Sequence, residues 1–451
     1  MSKKNDTRDD QMTVGVFFKN TGHHIASWLH PKAQPDAGIN LQHYIDCAQK
    51  CEKAGLDFIF FADSVAVRDT PRELLSQVSQ FTAYFEPITL LSALSMATER
   101  LGLVCTATTS FSEPYNIARM YASLDHISKG RIGWNVVTSG LGDVEAQNYG
   151  LTTHYEHDER YDRAQEFVEC VLGLLDSWED DAFLYDREAS RFFDPEKLHE
   201  LNHDGKFFKS RGPLNVPRSP QGHPVIFQAG SSNAGRESAA RFAEGVFTGY
   251  LTPESSADHY KDVKSRMKKY GRTPDQMRIL PGCTIFCGTT EAEAKEKEEY
   301  LASLINPDVG VQYIATMTGI DLEGCSPDDE LPDRESVRAS EGTRDNIIAQ
   351  ARQEKMTIRQ LYMRLAGSHG KMTMRGTPSQ IADQMQDWFS NYSCDGFIFQ
   401  PSYMPGDLDD IVELVVPELQ NRGLFAEESN GTTLREHLGL ERPANRYAAA
   451  T

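Results

Sequence analysis

A chain of 451 residues exceeds one ordinary core of roughly 100–200 residues, although an α/β barrel with insertions holds such a length in one domain. Its 39% apolar and 10% aromatic content is enough for a large core and excludes global disorder. The net charge of −20 excludes nucleic acid or an anionic membrane as the main partner, since both need a basic footprint.

The opening MSKKNDTRDDQ is polar with no apolar segment behind it, so residues 1–12 are expected to be a disordered tail and not a secretory signal. TVGVFF from Thr13 predicts a strand, and LQHYIDCAQKCEKAG a helix closed by Gly55. DFIFFA from Asp57, GLVCTAT from Gly102 and RIGWNVV from Arg131 continue the strands. The helical patterns PITLLSALSMATER and NIARMYASLDHISKG separate them, and YDRAQEFVECVLGLLDSW follows. Residues 178–223, rich in charge, proline and turn signals, interrupt the rhythm. It resumes with PVIFQAG from Pro224, GVFTGY from Gly245 and RILPGCTIFCG from Arg278, alternating with helices. A second interruption spans 303–375, before the helix TPSQIADQMQDWFS and a last strand, DGFIFQP from Asp395. Residues 441–451 read as a C-terminal tail beyond one domain over 13–440. Strand followed by helix, repeated eight times, predicts right-handed βαβ units. The fold class is therefore α/β, a (β/α)8 TIM barrel with long insertions and a C-terminal extension. No apolar run approaches the ~18 residues of a membrane span, so a cytoplasmic protein is expected. The eight cysteines lack zinc spacing and read as reduced thiols.

A parallel barrel carries its site at the carboxyl ends of its strands. There the sequence places Asp63, then Thr108 with Thr109 and Ser110, then Thr138 with Ser139, then Gly230, Ser231 and Ser232. Any one of these is an ordinary helix cap. On four strands in turn, small hydroxyls and an acid suit the edge of a planar polar cofactor. GSSNAGR, 230–236, is no Walker loop, but a Gly-Ser-Ser turn opening a helix offers N–H groups and hydroxyls to one phosphate monoester. No G-x-G-x-x-G follows a strand, so a mononucleotide is expected and not a dinucleotide. His157 and Tyr161 share a helical face, either as a surface helix start or over the same cofactor. Asn135 interrupts a buried strand: it is delivered with Thr138 to the cofactor end, or it bonds inside the barrel core. His23, His24 and His30 have no carboxylate at ligand spacing, so no metal is expected, and a rim histidine would serve as proton donor or hydrogen-bond partner.

GRIGWNVVTS, AQNYG, HDERYDRAQEF and PVIFQAGSSNAGRE, in this order, resemble the bacterial-luciferase-like flavin monooxygenases. The likeness runs over about residues 13–440 and is to the branch holding nitrilotriacetate, EDTA, dibenzothiophene-sulfone and long-chain alkane monooxygenases. It implies an insertion-bearing barrel that binds reduced FMN (FMNH2), supplied by a separate NAD(P)H:FMN reductase through diffusive flavin transfer. O2 is then a co-substrate. One of its atoms enters a small organic substrate (sulfone, aminopolycarboxylate, halogenated aromatic or alkane) and the other leaves as water. The resemblance assigns Asp63 and Thr108 to the ring and ribityl chain, and His157, Tyr161, Ser231 and Ser232 to the phosphate end. His24 would support catalysis, although TGHHIASW departs from the family's commoner H-x-H-G-x-W-R-H form. A homodimer or homotetramer is implied. A deazaflavin-dependent dehydrogenase and a non-catalytic flavin-binding protein are the alternative readings. The 303–375 insertion, with its apolar LINPDVGVQYIATMTGIDL, is expected to cover the site and keep water out.

Overall fold

In the computed structural model, which describes residues 8, 10–80, 82–140, 142–336, 342–368 and 370–448, strand side chains alternate between two apolar clusters. Val14, Val16 and Phe18 of β1 (Thr13–Phe18) pack outward on the helices, while Phe17 faces the inner cluster. On β2 (Phe58–Phe61), Ile59 and Phe61 pack outward and Phe58 and Phe60 inward. Burial on both faces is why these strands read as unbroken apolar runs. β3 (Gly102–Thr108) and β4 (Ile132–Val137) follow the same rule. After the helix His157–Leu175, the first insertion carries two hairpins: β5 (Phe183–Asp186) with β6 (Arg191–Phe193), and β7 (His203–Asp204) with β8 (Lys209–Ser210). The barrel resumes with β9 (Val225–Gln228), β10 (Gly245–Thr248) and the long β11 (Arg278–Cys287).

The second insertion has its own apolar core. Val309 and Ile314 of helix Pro307–Thr318 meet Leu361 of helix Ile358–Leu365, and the cluster closes on Ile25 and Ala26 from the loop after β1. Its final residues differ from expectation: Met372–Gly376 form a ninth strand, β12, parallel to 283–287 of β11. β13 (Gly396–Phe399) completes the set. The order β1-β2-β3-β4-β9-β10-β11-β13, returning to β1, is a closed ring of eight parallel strands, with β12 attached outside it. The eight strands expected from the sequence are those of the ring. Its interior is filled by large rings set against glycines: a Cβ on Gly15 would lie 2.4 Å from the Phe58 ring, and one on Gly245 2.4 Å from Phe227. Leu434, Leu438 and Leu440 seal the amino-terminal mouth.

The first and last described residues are seated on the barrel. Arg8 Nη2 lies 2.6 Å from Asp395, and its guanidinium lies 4.1 Å from the Phe389 ring centroid. Residues 1–7 and 9 of the expected tail fall outside the described residues. Asn445, in the expected C-terminal tail, is buried and donates to the carbonyls of Asp176 (3.1 Å) and Trp178 (2.8 Å). Among the described residues no helix is long and apolar enough to cross a membrane.

Asp176 anchors this corner through Arg218 Nε (2.9 Å) and His223 Nε2 (2.8 Å). Burial alone would raise its pKa, but His223 and Arg218 outweigh that and hold it at about 2. Asp176→Asn is expected to cost about 3 kcal/mol, because the buried Arg218 guanidinium is left with Asp180 alone and His223 loses its carboxylate partner. The contribution is present above the unfolded carboxylate value of about 3.9 and is lost as pH falls toward about 2. Urea unfolding at pH 7 and pH 3 checks it: the gap between parent and variant should narrow at the lower pH.

Candidate active site

The carboxyl ends of β2, β4 and β9 open into a cavity of about 330 Å³ lined by Asp63, Thr138, Gln228, Gly230 and, from the helix after β4, Tyr161. That volume lies within the range of small-molecule sites, about 300–1,000 Å³. Asp63 follows β2 directly. Burial, then the nearby Glu86, pushes its pKa up to about 6, against hydrogen bonds from the Ser64 N–H and the Tyr84 hydroxyl (3.3 Å). Near neutral pH this carboxyl can therefore accept or donate. Glu145 also lines the cavity, and its carboxylate accepts the Gly140 N–H (3.1 Å), fixing the turn after β4.

The other end is built for an anion. Ser232 caps helix Asn233–Phe242, its hydroxyl accepting the Gly235 N–H (3.1 Å), and it lies 3.5 Å from the Tyr161 hydroxyl. Behind the turn, Arg236 donates to the Ser231 carbonyl (2.9 Å) and is itself held by Asp262 (2.8 Å) and Tyr250 (3.3 Å). A helix N-terminus with its dipole, beside the hydroxyls of Ser232 and Tyr161, suits a phosphate.

Thr108 stands one layer behind the lining, its hydroxyl 2.8 Å from that of Ser139, which does line the cavity. Thr138 lines it and accepts from the Ser110 hydroxyl through its carbonyl (2.6 Å). Asn135 takes the second of its two expected positions: it faces the barrel interior and donates to Thr106 Oγ1 (2.7 Å). His157 is half exposed on the outer lip, its ring 5.0 Å from that of Tyr161. Ser231 and Ser232 form the turn beside the cavity lining. His24 is buried beneath the second insertion, outside the lining. Its Nδ1 accepts the Ala26 N–H (3.1 Å), and burial lowers its pKa to about 3, so it is neutral. Among the described residues no three metal-binding side chains cluster.

Gln228, Arg68 and Glu145 line this cavity and escape the sequence reading. Gln228 ends an apolar strand just as Asn135 interrupts one, and that signal was available. Arg68 lies in an aperiodic loop, and Glu145 sits in a short polar helix that gives no such signal. The side-chain carbonyl oxygen of Gln228, which lines the cavity, is buried without a hydrogen-bond partner, so this end of the barrel presents an acceptor to a ligand with N–H groups. An acid-and-amide edge, an anion turn and an orphaned acceptor fit a flavin mononucleotide.

The luciferase-like monooxygenase profile matches residues 12–392. The chain belongs to that family. Such an enzyme is a flavin-dependent monooxygenase, an oxidoreductase. This luciferase-like monooxygenase is 47% identical to nitrilotriacetate monooxygenase component A of Aminobacter aminovorans, over 97% of this chain and 98% of that one. It is 46% identical to N-acetyl-S-(2-succino)cysteine monooxygenase of Bacillus subtilis (strain 168), over 98% and 99%. Among solved structures, riboflavin lyase with modified FMN and its substrate riboflavin matches with a TM-score of 0.84 and 32% identity, over 96% and 97% of the two chains.

Proposed function

We propose that this chain is the oxygenase component of a two-component system, binding FMNH2 supplied by diffusion from a separate NAD(P)H:FMN reductase. With O2 as co-substrate it oxygenates a small organic compound of the sulfone, aminopolycarboxylate, halogenated aromatic or alkane class. The observation that carries this reading is the pairing, in one cavity, of the Ser232–Tyr161 anion turn with the Asp63 and Gln228 edge. A relative at 47% identity is named as component A of a monooxygenase, which supports a second component there.

The residues divide the work by position. Ser231, Ser232, Tyr161 and the first helical N–H groups would hold the phosphate, with His157 at the lip. Thr138 and Ser139 would border the ribityl chain, with Thr108 behind them holding the Ser139 hydroxyl, and Asp63 and Gln228 the ring edge. Bound there, reduced FMN would supply the electrons that activate O2. A carboxyl at about 6 holds or releases a proton at Oδ1 or Oδ2 at little cost near neutral pH. Phe17, Phe60 and Phe247 pack on one another inside the barrel and keep bulk water out of its interior. His24 would support catalysis from behind the mouth. We further propose that the enzyme works in the cytoplasm as a homodimer or homotetramer.

The test is an anaerobic titration with FMNH2, oxidised FMN and a reduced deazaflavin, followed by a coupled assay with a generic flavin reductase. Saturable FMNH2 binding with O2-dependent product is expected. A preference for the deazaflavin, or no FMNH2 binding, would overturn the reading.

A further inference from the structure

The turn beside the cavity has little apolar support. Ser231, Ser232 and Asn233 are all exposed, so burial does not fix where they stand. Polar contacts do. Arg236 Nε donates to the Ser231 carbonyl (2.9 Å), and Arg266 Nη1 donates to Asn233 Oδ1 (2.9 Å). One grip falls on each side of Ser232, whose hydroxyl stands beside that of Tyr161.

Both guanidiniums are aimed by one carboxylate. Asp262 Oδ2 accepts from Arg236 Nη1 (2.8 Å) and from Arg266 Nη2 (3.1 Å), and Oδ1 accepts from Arg266 Nε (2.8 Å). Hydrogen bonds from Arg266, then from Arg236, hold its pKa below the usual carboxylate range against burial, so it is charged at neutral pH. Asp262 and Arg266 belong to helix Pro253–Arg266, which follows β10, whereas the turn follows β9. The neighbouring βα unit therefore grips the turn from behind, outside the cavity lining. Tyr250 and His259 complete the grip. An arginine can only donate, so Arg236 Nη2 gives to the Tyr250 oxygen (3.3 Å) and the Tyr250 hydroxyl gives to His259 Nδ1 (2.9 Å). His259 is buried, and burial lowers its pKa to about 4, so its ring is neutral and able to accept. Arg236 is thus bonded through all three of its nitrogens, which fixes the plane of its guanidinium.

Isolated ion pairs as exposed as these add little to folding. A carboxylate shared by two guanidinium forks instead fixes direction, and a ligand site depends on supporting bonds of that kind. Glu237 also reaches Arg266 Nη1 (3.4 Å), so neutralising Asp262 leaves this arginine a counter-charge but removes its aim.

We propose that Asp262 is a positioning residue for the phosphate turn, acting through Arg236 on Ser231 and through Arg266 on Asn233. This rests on the reading that the turn takes the phosphate of FMNH2.

The test compares FMNH2 with reduced riboflavin, which lacks the phosphate, by anaerobic fluorescence titration of the full chain. The parent should bind FMNH2 at least about 50-fold more tightly than reduced riboflavin, in the range for charged hydrogen bonds. Asp262→Asn should weaken FMNH2 about 20-fold and reduced riboflavin less than about twofold, because the ring end of the cavity is untouched. Retained riboflavin binding also shows that the variant is folded. Asp262→Glu should return FMNH2 affinity to within about fivefold of the parent. Arg266→Gln, which leaves Arg236 paired with Asp262, should weaken FMNH2 about fivefold, again with reduced riboflavin unchanged. Equal weakening of both flavins by Asp262→Asn and by Arg266→Gln would mean a general structural role and overturn the assignment. Parental FMNH2 affinity in Asp262→Asn would overturn it too. A parent that binds both flavins alike would instead overturn the turn as the phosphate site, and the role of Asp262 with it.

Discussion

A Gly235→Val enzyme is expected to bind FMNH2 about 100-fold more weakly than the parent while keeping its fold. Gly235 is buried in the first turn of helix Asn233–Phe242, where the preceding loop folds back onto it. A Cβ there would sit 2.9 Å from the Cα and carbonyl carbon of Gly230, and 3.0 Å from its oxygen. These are backbone atoms, so relief requires the 230–232 turn to move off the helix. Overpacking of this kind costs about 1–3 kcal/mol, and its effect falls on the loop that faces ligand, not on the barrel. Displaced by even an ångström, the Ser232 hydroxyl and the helical N–H groups no longer converge on one phosphate beside Tyr161. A hundredfold loss is about 2.7 kcal/mol, within reach of one lost anion contact and a strained turn. Gly235→Ala should show a smaller loss, about tenfold. Anaerobic fluorescence titration measures both, with far-UV circular dichroism to confirm the fold. A Gly235→Val dissociation constant within threefold of the parent would rule out the turn as the phosphate site.

The second large effect concerns the cap. Ile314→Ala combined with Leu361→Ala should lower the yield of oxygenated product per reduced flavin at least about tenfold, with hydrogen peroxide accounting for the difference. Both side chains are fully or almost fully buried in the insertion's own cluster. Each truncation costs roughly 2–5 kcal/mol where the site collapses poorly. That cluster shares no residue with the clusters that hold the barrel, so the loss loosens the cap first and leaves the ring standing. A loosened cap admits water over Ile25 and Arg68, the floor of the cleft beneath it. Product and peroxide measured against flavin consumed decide the matter, and unchanged coupling would show that the insertion does not exclude water. FMNH2 affinity should stay within twofold, which separates this effect from that of the turn.

The barrel was legible because its strands are buried on both faces and its helices on one, which writes two different periods into the sequence. β12 escaped because it hangs outside the ring. Its residues alternate buried and exposed over five positions, too few to stand out beside a long irregular insertion. The rim was legible where a polar residue closes an apolar run, as at Asp63 and Thr138. The same signal left Asn135 undecided, because a buried amide can face the ligand or a neighbouring strand, and only the Thr106 pairing settles it. Arg68 left no local trace, since its loop reaches the cavity only when the barrel closes. The polar C-terminal stretch likewise looks detachable until its long-range bonds to Asp176 and Trp178 are seen. The family likeness supplied what periodicity lacks, namely the expectation of a flavin and a proposed role for each rim residue.

β11 is shared by two neighbourhoods: its first half closes the ring against β10 and β13, and its second half carries β12. The chain leaves the last cap helix at Leu365, passes Lys371 and enters β12 at Met372. The cover is thus hung from a strand that lies outside the ring. Its displacement would be taken up by the β11–β12 pairing while the eight strands of the ring keep their register.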